Sequence, residues 1–141
     1  MYGALWAEIS VWLGKMPEPI RVMYEWSNNH VKMKESPENW FARARTSTKE
    51  NPEALSGIHA DYMMQIIDEA SAVPDEIMDN AEATLTNADY VTLKISNPTR
   101  IVGRFFDSHH KYRKFHQCFH FSAESSPVVN RQKVLDTIAK Y

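Results

Sequence analysis

The run Tyr62-Met63-Met64-Gln65-Ile66-Ile67 constrains the fold most, because it is short, almost wholly apolar and stops abruptly at Asp68-Glu69. So compact a run suits a strand better than a helix, and its near-continuous apolar character suits a parallel sheet covered on both faces. The downstream sequence fits that frame. Pro74 suits the first turn of a helix, with Asp75 and Glu76 favourably near its positive end. Residues 90–96 (YVTLKIS) predict a second strand, and residues 101–109 a short helix. Residues 115–122 predict a third strand with Phe115, Phe119 and Phe121 on one face. Asn130 is placed to cap a last helix carrying Val134, Leu135 and Ile138. Strand and helix therefore alternate from Tyr62 onward, which predicts an α/β layer with a mostly parallel sheet.

The first half reads differently. Leu5, Ile9, Trp12, Leu13 and Met16 recur at helical spacing, and Pro17 ends that helix. A short second helix after Pro19 takes in Ile20, Met23 and Tyr24. Ser27-Asn28-Asn29 is a turn signal. Residues 30–34 and 40–47 are strand-like and separated by Ser36-Pro37, as in a hairpin or bent ribbon, with Arg43 and Arg45 on one face of the second. Residues 51–59 read as a short helix or turn. No internal repeat, low-complexity segment or convincing domain boundary interrupts the chain.

Composition narrows the function classes. The 141 residues suit one domain or a large part of one, and a net charge of -2 makes no global electrostatic case for nucleic-acid binding, leaving only a local basic patch. Cys118 is the sole cysteine, which excludes an intramolecular disulfide and makes a reducing compartment the simplest reading. No apolar run approaches the roughly 20 residues of a membrane span. The amino terminus carries Glu8 and no basic stretch, unlike a signal peptide.

Chemistry concentrates at two strand ends. An apolar strand delivering Asp68 and Glu69 at its carboxyl end is what a nucleoside triphosphatase needs, because ligands of open α/β sheets bind beyond that edge. The first acid can hold Mg²⁺, usually through water, and the second can orient or deprotonate the attacking water. Taken alone, the octet is more economically a buried strand leaving the core at two solvated acids, since short motifs often match by chance. Asn97-Pro98-Thr99-Arg100 ends the next strand. Neighbouring strands would bring Asn97 near the acids as a neutral sensor of phosphate or water, although Asn-Pro alone is an ordinary turn signal. His116, Cys118 and His120 would share a strand face, and imidazole and thiolate suit Zn²⁺. Without a paired Cys-x-x-Cys, a packed strand face is the better reading. Lys111-Tyr112-Arg113-Lys114 reads as a solvated basic loop. Arg43, Arg45 and Arg100 are candidates for an arginine finger that the sequence does not choose among.

Joint context sharpens this. The segments Pro52 to Ala60, Ile67-Asp68-Glu69-Ala70-Ser71, Pro74-Asp75-Glu76-Ile77, Leu85-Thr86, Ser96-Asn97-Pro98-Thr99-Arg100 and Gly103-Arg104-Phe105 resemble, in order, the ATPase of phage terminase large subunits. The likeness extends to Leu5-Trp6-Ala7-Glu8-Ile9 and to His120-Phe121 through Ser126-Pro127-Val128-Val129. The resemblance implies a three-layer, mostly parallel fold of the P-loop ATPase type, with residues 1–141 as a central part of that domain. It implies Asp68 and Glu69 as the Walker B acids: Asp68 associated with Mg²⁺ and so with ATP, Glu69 the catalytic carboxylate. Asn97 would lie in the segment coupling hydrolysis to movement. Implied partners are double-stranded DNA, the small terminase subunit, the portal and further copies of the chain, in the cytoplasm of a bacterial host.

One departure is plain. The phosphate loop G-x-x-x-x-G-K-[ST] is missing: Gly14-Lys15, the sole Gly-Lys pair, is followed by Met16 and sits at the end of a helix. The expectation is therefore an incomplete motor domain, lacking its first strand, phosphate loop and nuclease and inactive by itself. The rival is a non-catalytic assembly protein derived from a terminase.

Overall fold

A computed structural model describes residues 4–46, 60–83, 85 and 89–140. The expected helix or turn at 51–59 and the family-like residues there lie outside them, as does Thr86. The chain divides into two compact units, Met1–Phe106 and Asp107–Tyr141.

The first unit opens with helix α1 (Ala4–Lys15), closed by Pro17 as expected. Its half-buried stripe is Trp6, Ile9, Leu13 and Met16, while Trp12 is 64% exposed. The stripe is rotated from the sequence expectation because Trp6 stacks on Trp26, with ring centroids 4.7 Å apart. Trp12 instead carries Lys15 Nζ over its ring at 4.4 Å. Helix α2 is short (Glu18–Arg21), and the expected continuation to Tyr24 is strand β1 (Tyr24–Trp26). Strands β2 (His30–Met33) and β3 (Phe41–Arg43) complete an antiparallel sheet in the order β1-β2-β3. The Ser27-Asn28-Asn29 turn works through its side chains: Ser27 Oγ and Asn29 Oδ1 lie 2.7 and 2.9 Å from His30 Nδ1. The hairpin across Ser36-Pro37 is present, with Val31 opposite Ala42, but its second strand is shorter than expected.

Strand β4 (Tyr62–Ile67) pairs in parallel with β5 (Asp89–Lys94), with Gln65 opposite Thr92 and Ile67 opposite Lys94. Helix α3 (Asp75–Ala83) makes the crossover. It lies on one face of the sheet: Gln65 Nε2 donates to Ala81 O at 3.4 Å, and Lys94 Nζ meets Glu82 Oε1 at 2.8 Å. The core sits here, formed by Ala70, Ile77, Met78, Ala81 and Leu85.

Three expectations change. β4 is covered on one face, not two: Tyr62, Met64 and Ile66 are exposed while Met63, Gln65 and Ile67 are half-buried. Residues 115–122 form no strand; a 3₁₀ turn at Arg113–Phe115 leads into backbone without a ladder, and Phe115, Phe119 and Phe121 stand exposed. Their alternation matches a strand, but among the described residues no strand pairs with it. The parallel sheet among the described residues thus has two strands, and the larger sheet is antiparallel.

Helix α4 (Arg104–His109) leads into the second unit, which ends in α5 (Arg131–Ile138). Asn130 Oδ1 accepts from Lys133 N at 3.2 Å, the expected cap.

Candidate functional site

The parallel register decides where the chemistry lies. Ile95 N donates to Ile67 O at 2.9 Å, and Ala70 N donates to Ile95 O at 3.0 Å. Asp68-Glu69 and Ser96-Asn97 therefore leave the sheet together at its carboxyl edge, as the alternation of elements predicts. Asp68, Glu69 and Asn97 are all exposed.

Glu69 is held in an unusual backbone state. Its φ of 52° and ψ of 38° are left-handed, and it alone among the described non-glycine residues has positive φ. Such a conformation costs a side-chain-bearing residue about 1–2 kcal/mol. Asp68 Oδ1 accepts from Glu69 N at 3.0 Å and Ala70 N is tied to β5, so the turn is fastened on both sides of the strained residue. Strain of this kind clusters where a side chain must point in one direction for function.

A second layer of contacts ties the two strand ends together. Buried Ser71 places its Oγ 3.1 Å from Thr99 Oγ1, joining the segments that follow β4 and β5. Ser96 Oγ and Thr99 N both donate to Asn97 O at 2.9 Å, which fixes the Asn97 turn. Beyond it, Asp75 Oδ1 accepts from Arg104 N at 2.8 Å, and Arg104 Nη2 reaches Asp79 Oδ1 at 2.6 Å. Gly103, at φ 99°, makes that approach possible; a Cβ there would lie 3.2 Å from Asp75 Oδ1. Ser71, Asp75, Gly103 and Arg104 line a cleft of about 340 Å³ with Arg100 and Phe105; Asp68, Glu69 and Asn97 are not in its walls.

The donor set suits Mg²⁺ held largely by water and phosphate. Mg²⁺ commonly takes one or two carboxylates and keeps several waters. Asp68 is exposed and its single hydrogen bond uses one of about four lone-pair positions on a carboxylate. Among the described residues no three His, Cys, Asp or Glu side chains converge into a protein cage. That also bears on His116, Cys118 and His120, which share no strand face: Cys118 Sγ donates to Ser108 O at 3.2 Å.

The remaining candidates are dispersed. Gly14-Lys15 forms the last turn of α1, as its sequence context implies. Arg43 rests over the Phe41 ring at 5.6 Å, whereas Arg100 lies in the cleft wall. Lys111 and Lys114 sit over the Tyr112 and Phe115 rings at 4.8 Å each. Sequence reasoning missed the Asp75–Arg104 tether, because its partners are 29 residues apart, and the left-handed Glu69, because glutamate carries no such signal. Gly103 was the available clue to the tether.

Comparison with known proteins agrees with the resemblance. The chain is 34% identical over 109 residues to the "Probable terminase, large subunit" of Enterobacteria phage P7. The chain is a relative of the phage terminase large subunits. The alignment takes in 72% of this terminase relative but 22% of the phage P7 protein, so the chain spans about a fifth of the curated relative's length. No family model and no solved structure matches it.

Proposed function

We propose that the carboxyl edge of the β4–β5 sheet is the hydrolytic half of the ATP site of a DNA-packaging motor. The observation that supports this reading best is the parallel register, which brings Asp68, Glu69 and Asn97 to one edge in a chain related to terminase large subunits. Asp68 would hold the water shell of Mg²⁺, which when bound supplies positive charge to the phosphate oxygens. Glu69 would orient the attacking water and take its proton. Asn97, on the turn tied to Ser71 through Thr99, would register the state of the terminal phosphate and pass it into the chain. On this reading the β4–α3–β5 unit is part of a three-layer P-loop-type domain, acting on double-stranded DNA with the portal and small subunit in the host cytoplasm. No G-x-x-x-x-G-K-[ST] occurs in these 141 residues, so the amides and lysine that cradle a triphosphate would come from elsewhere.

Two measurements test this. The chain alone is expected to hydrolyse no ATP above buffer background; steady turnover that disappears in Glu69→Gln would show that another segment supplies the cradle. A chimera in which this chain replaces the matching stretch of the phage P7 protein is expected to hydrolyse ATP. Glu69→Gln in that chimera should lower kcat by at least about 100-fold, the lower end for losing a general base. An unchanged kcat would remove Glu69 from the mechanism.

A further inference from the structure

Charge is unevenly divided along the chain. Residues 107–141, the second compact unit, hold six lysines and arginines against three acids, whereas residues 1–106 hold ten against fifteen. The net charge of -2 therefore conceals a basic unit of the kind that attracts polyanions. The bias is strongest between Asp107 and Glu124, where no acid occurs and Lys111, Arg113 and Lys114 fall. The large apolar side chains of that stretch are all aromatic, with no Leu, Ile, Val or Met among them.

These rings do not form a core. Phe115, Phe119 and Phe121 are 71%, 62% and 88% exposed, and the three cations are exposed with them. The backbone that carries them is nevertheless fastened. Tyr112 N donates to Asp107 O at 2.8 Å, Phe115 N donates to Tyr112 O at 2.9 Å, and Cys118 Sγ donates to Ser108 O at 3.2 Å. Lys111 and Lys114 already lie over the rings of Tyr112 and Phe115. Among the described residues, Phe119 and Phe121 carry neither a cation nor a second ring, so their faces are open.

We propose that residues 111–121 bind single-stranded nucleic acid, with bases stacked on Phe119 and Phe121 and phosphates met by Lys111, Arg113 and Lys114. Open rings beside exposed cations match the alternation of base and phosphate along a single strand, and every base has a face to stack. A duplex keeps its bases stacked on one another, so it can engage the cations but not the rings. This partner differs from the double-stranded DNA of the proposed motor, and its binding requires neither ATP nor the acid pair.

Fluorescence anisotropy tests it on the whole chain without ATP, using a labelled thymidine strand of about 12 nucleotides, a length within the range of single-strand sites. Saturable binding that weakens with added salt is expected. A thymidine–adenosine duplex of the same length should bind at least about fivefold more weakly, the low end for losing one stacked base. Phe119→Leu and Phe121→Leu should each cost at least about fivefold, because leucine stays apolar but has no stacking face, whereas Phe121→Tyr should bind like the wild type. Arg113→Gln should flatten the slope of log affinity against log salt by about 0.7, the share of one phosphate contact. Far-UV circular dichroism checks each fold, and the two leucine variants serve as independent tests should one be misfolded. A uridine strand of the same length separates RNA from DNA, and binding of either supports the proposal. Absence of saturable binding, a duplex bound as tightly as the strand, indifference to both leucine variants, or binding only to vesicles of anionic phospholipid would overturn it. None of these variants touches Asp68, Glu69 or Asn97, so the outcome is separate from that of the hydrolysis experiments.

Discussion

Strand β5 and residues 116–122 are both rich in strand-forming side chains, yet only β5 is a strand. Strand β5 has β4 registered against it from Tyr62↔Asp89 to Ile67↔Lys94, and α3 lies across the pair. Residues 116–122 have no ladder among the described residues, and Phe119 and Phe121 remain 62% and 88% exposed. Intrinsic strand preferences span about 1 kcal/mol. The larger gain comes from paired backbone groups and buried faces, which a strand cannot supply by itself. Antiparallel β1–β3 makes the same point from the other side: turns of a few residues bring its partners together, so even three-residue strands form.

Four substitutions probe this contrast between a partnered and an unpartnered segment. Met78→Ala should have the largest effect, because Met78 of α3 is wholly buried. A loss of about 3 kcal/mol in a denaturant melt is expected, and a loss under about 1 kcal/mol would mean that the βαβ core is not what orders β5. Gly103→Ala should cost about 1–2 kcal/mol, since φ of 99° excludes most side chains and the new Cβ crowds Asp75 Oδ1. An unchanged melt would show the Asp75–Arg104 tether to be slack. Glu69→Gly should raise stability by about 0.5 kcal/mol, the relief of left-handed strain less the entropy cost of glycine. A destabilised Glu69→Gly would mean that the side chain supports the turn instead of straining it. Phe121→Ser should change the melt by less than about 0.5 kcal/mol, as for an exposed position. A large loss there would place residues 116–122 in an unseen ladder and dissolve the contrast.

Local chemistry made much of the site legible. Pro17 ended α1, Asn130 capped α5, and the compact apolar run of β4 stopping at Asp68-Glu69 announced a strand and the place where it ends. The alternation of strand and crossover helix then implied a parallel pair with Asn97 at the same edge, since this connection has a strongly preferred hand. These inferences worked because each rests on neighbours in the chain: caps, proline geometry and periodicity act over a few residues.

What the tertiary structure decided involves distant partners. Trp6 chose its face of α1 by stacking on Trp26, and Asp75 turned from a helix-end charge into the anchor of Arg104. The left-handed Glu69 follows from two fastenings, Asp68 behind it and Ile95 across the sheet. Burial was the least legible quantity of all. Apart from Gln65 the side chains of β4 are apolar on both faces, but the face that α3 covers is half-buried and the other is exposed. Hydropathy states which side chains favour burial; whether they are buried depends on a second surface arriving from elsewhere in the chain or from another molecule.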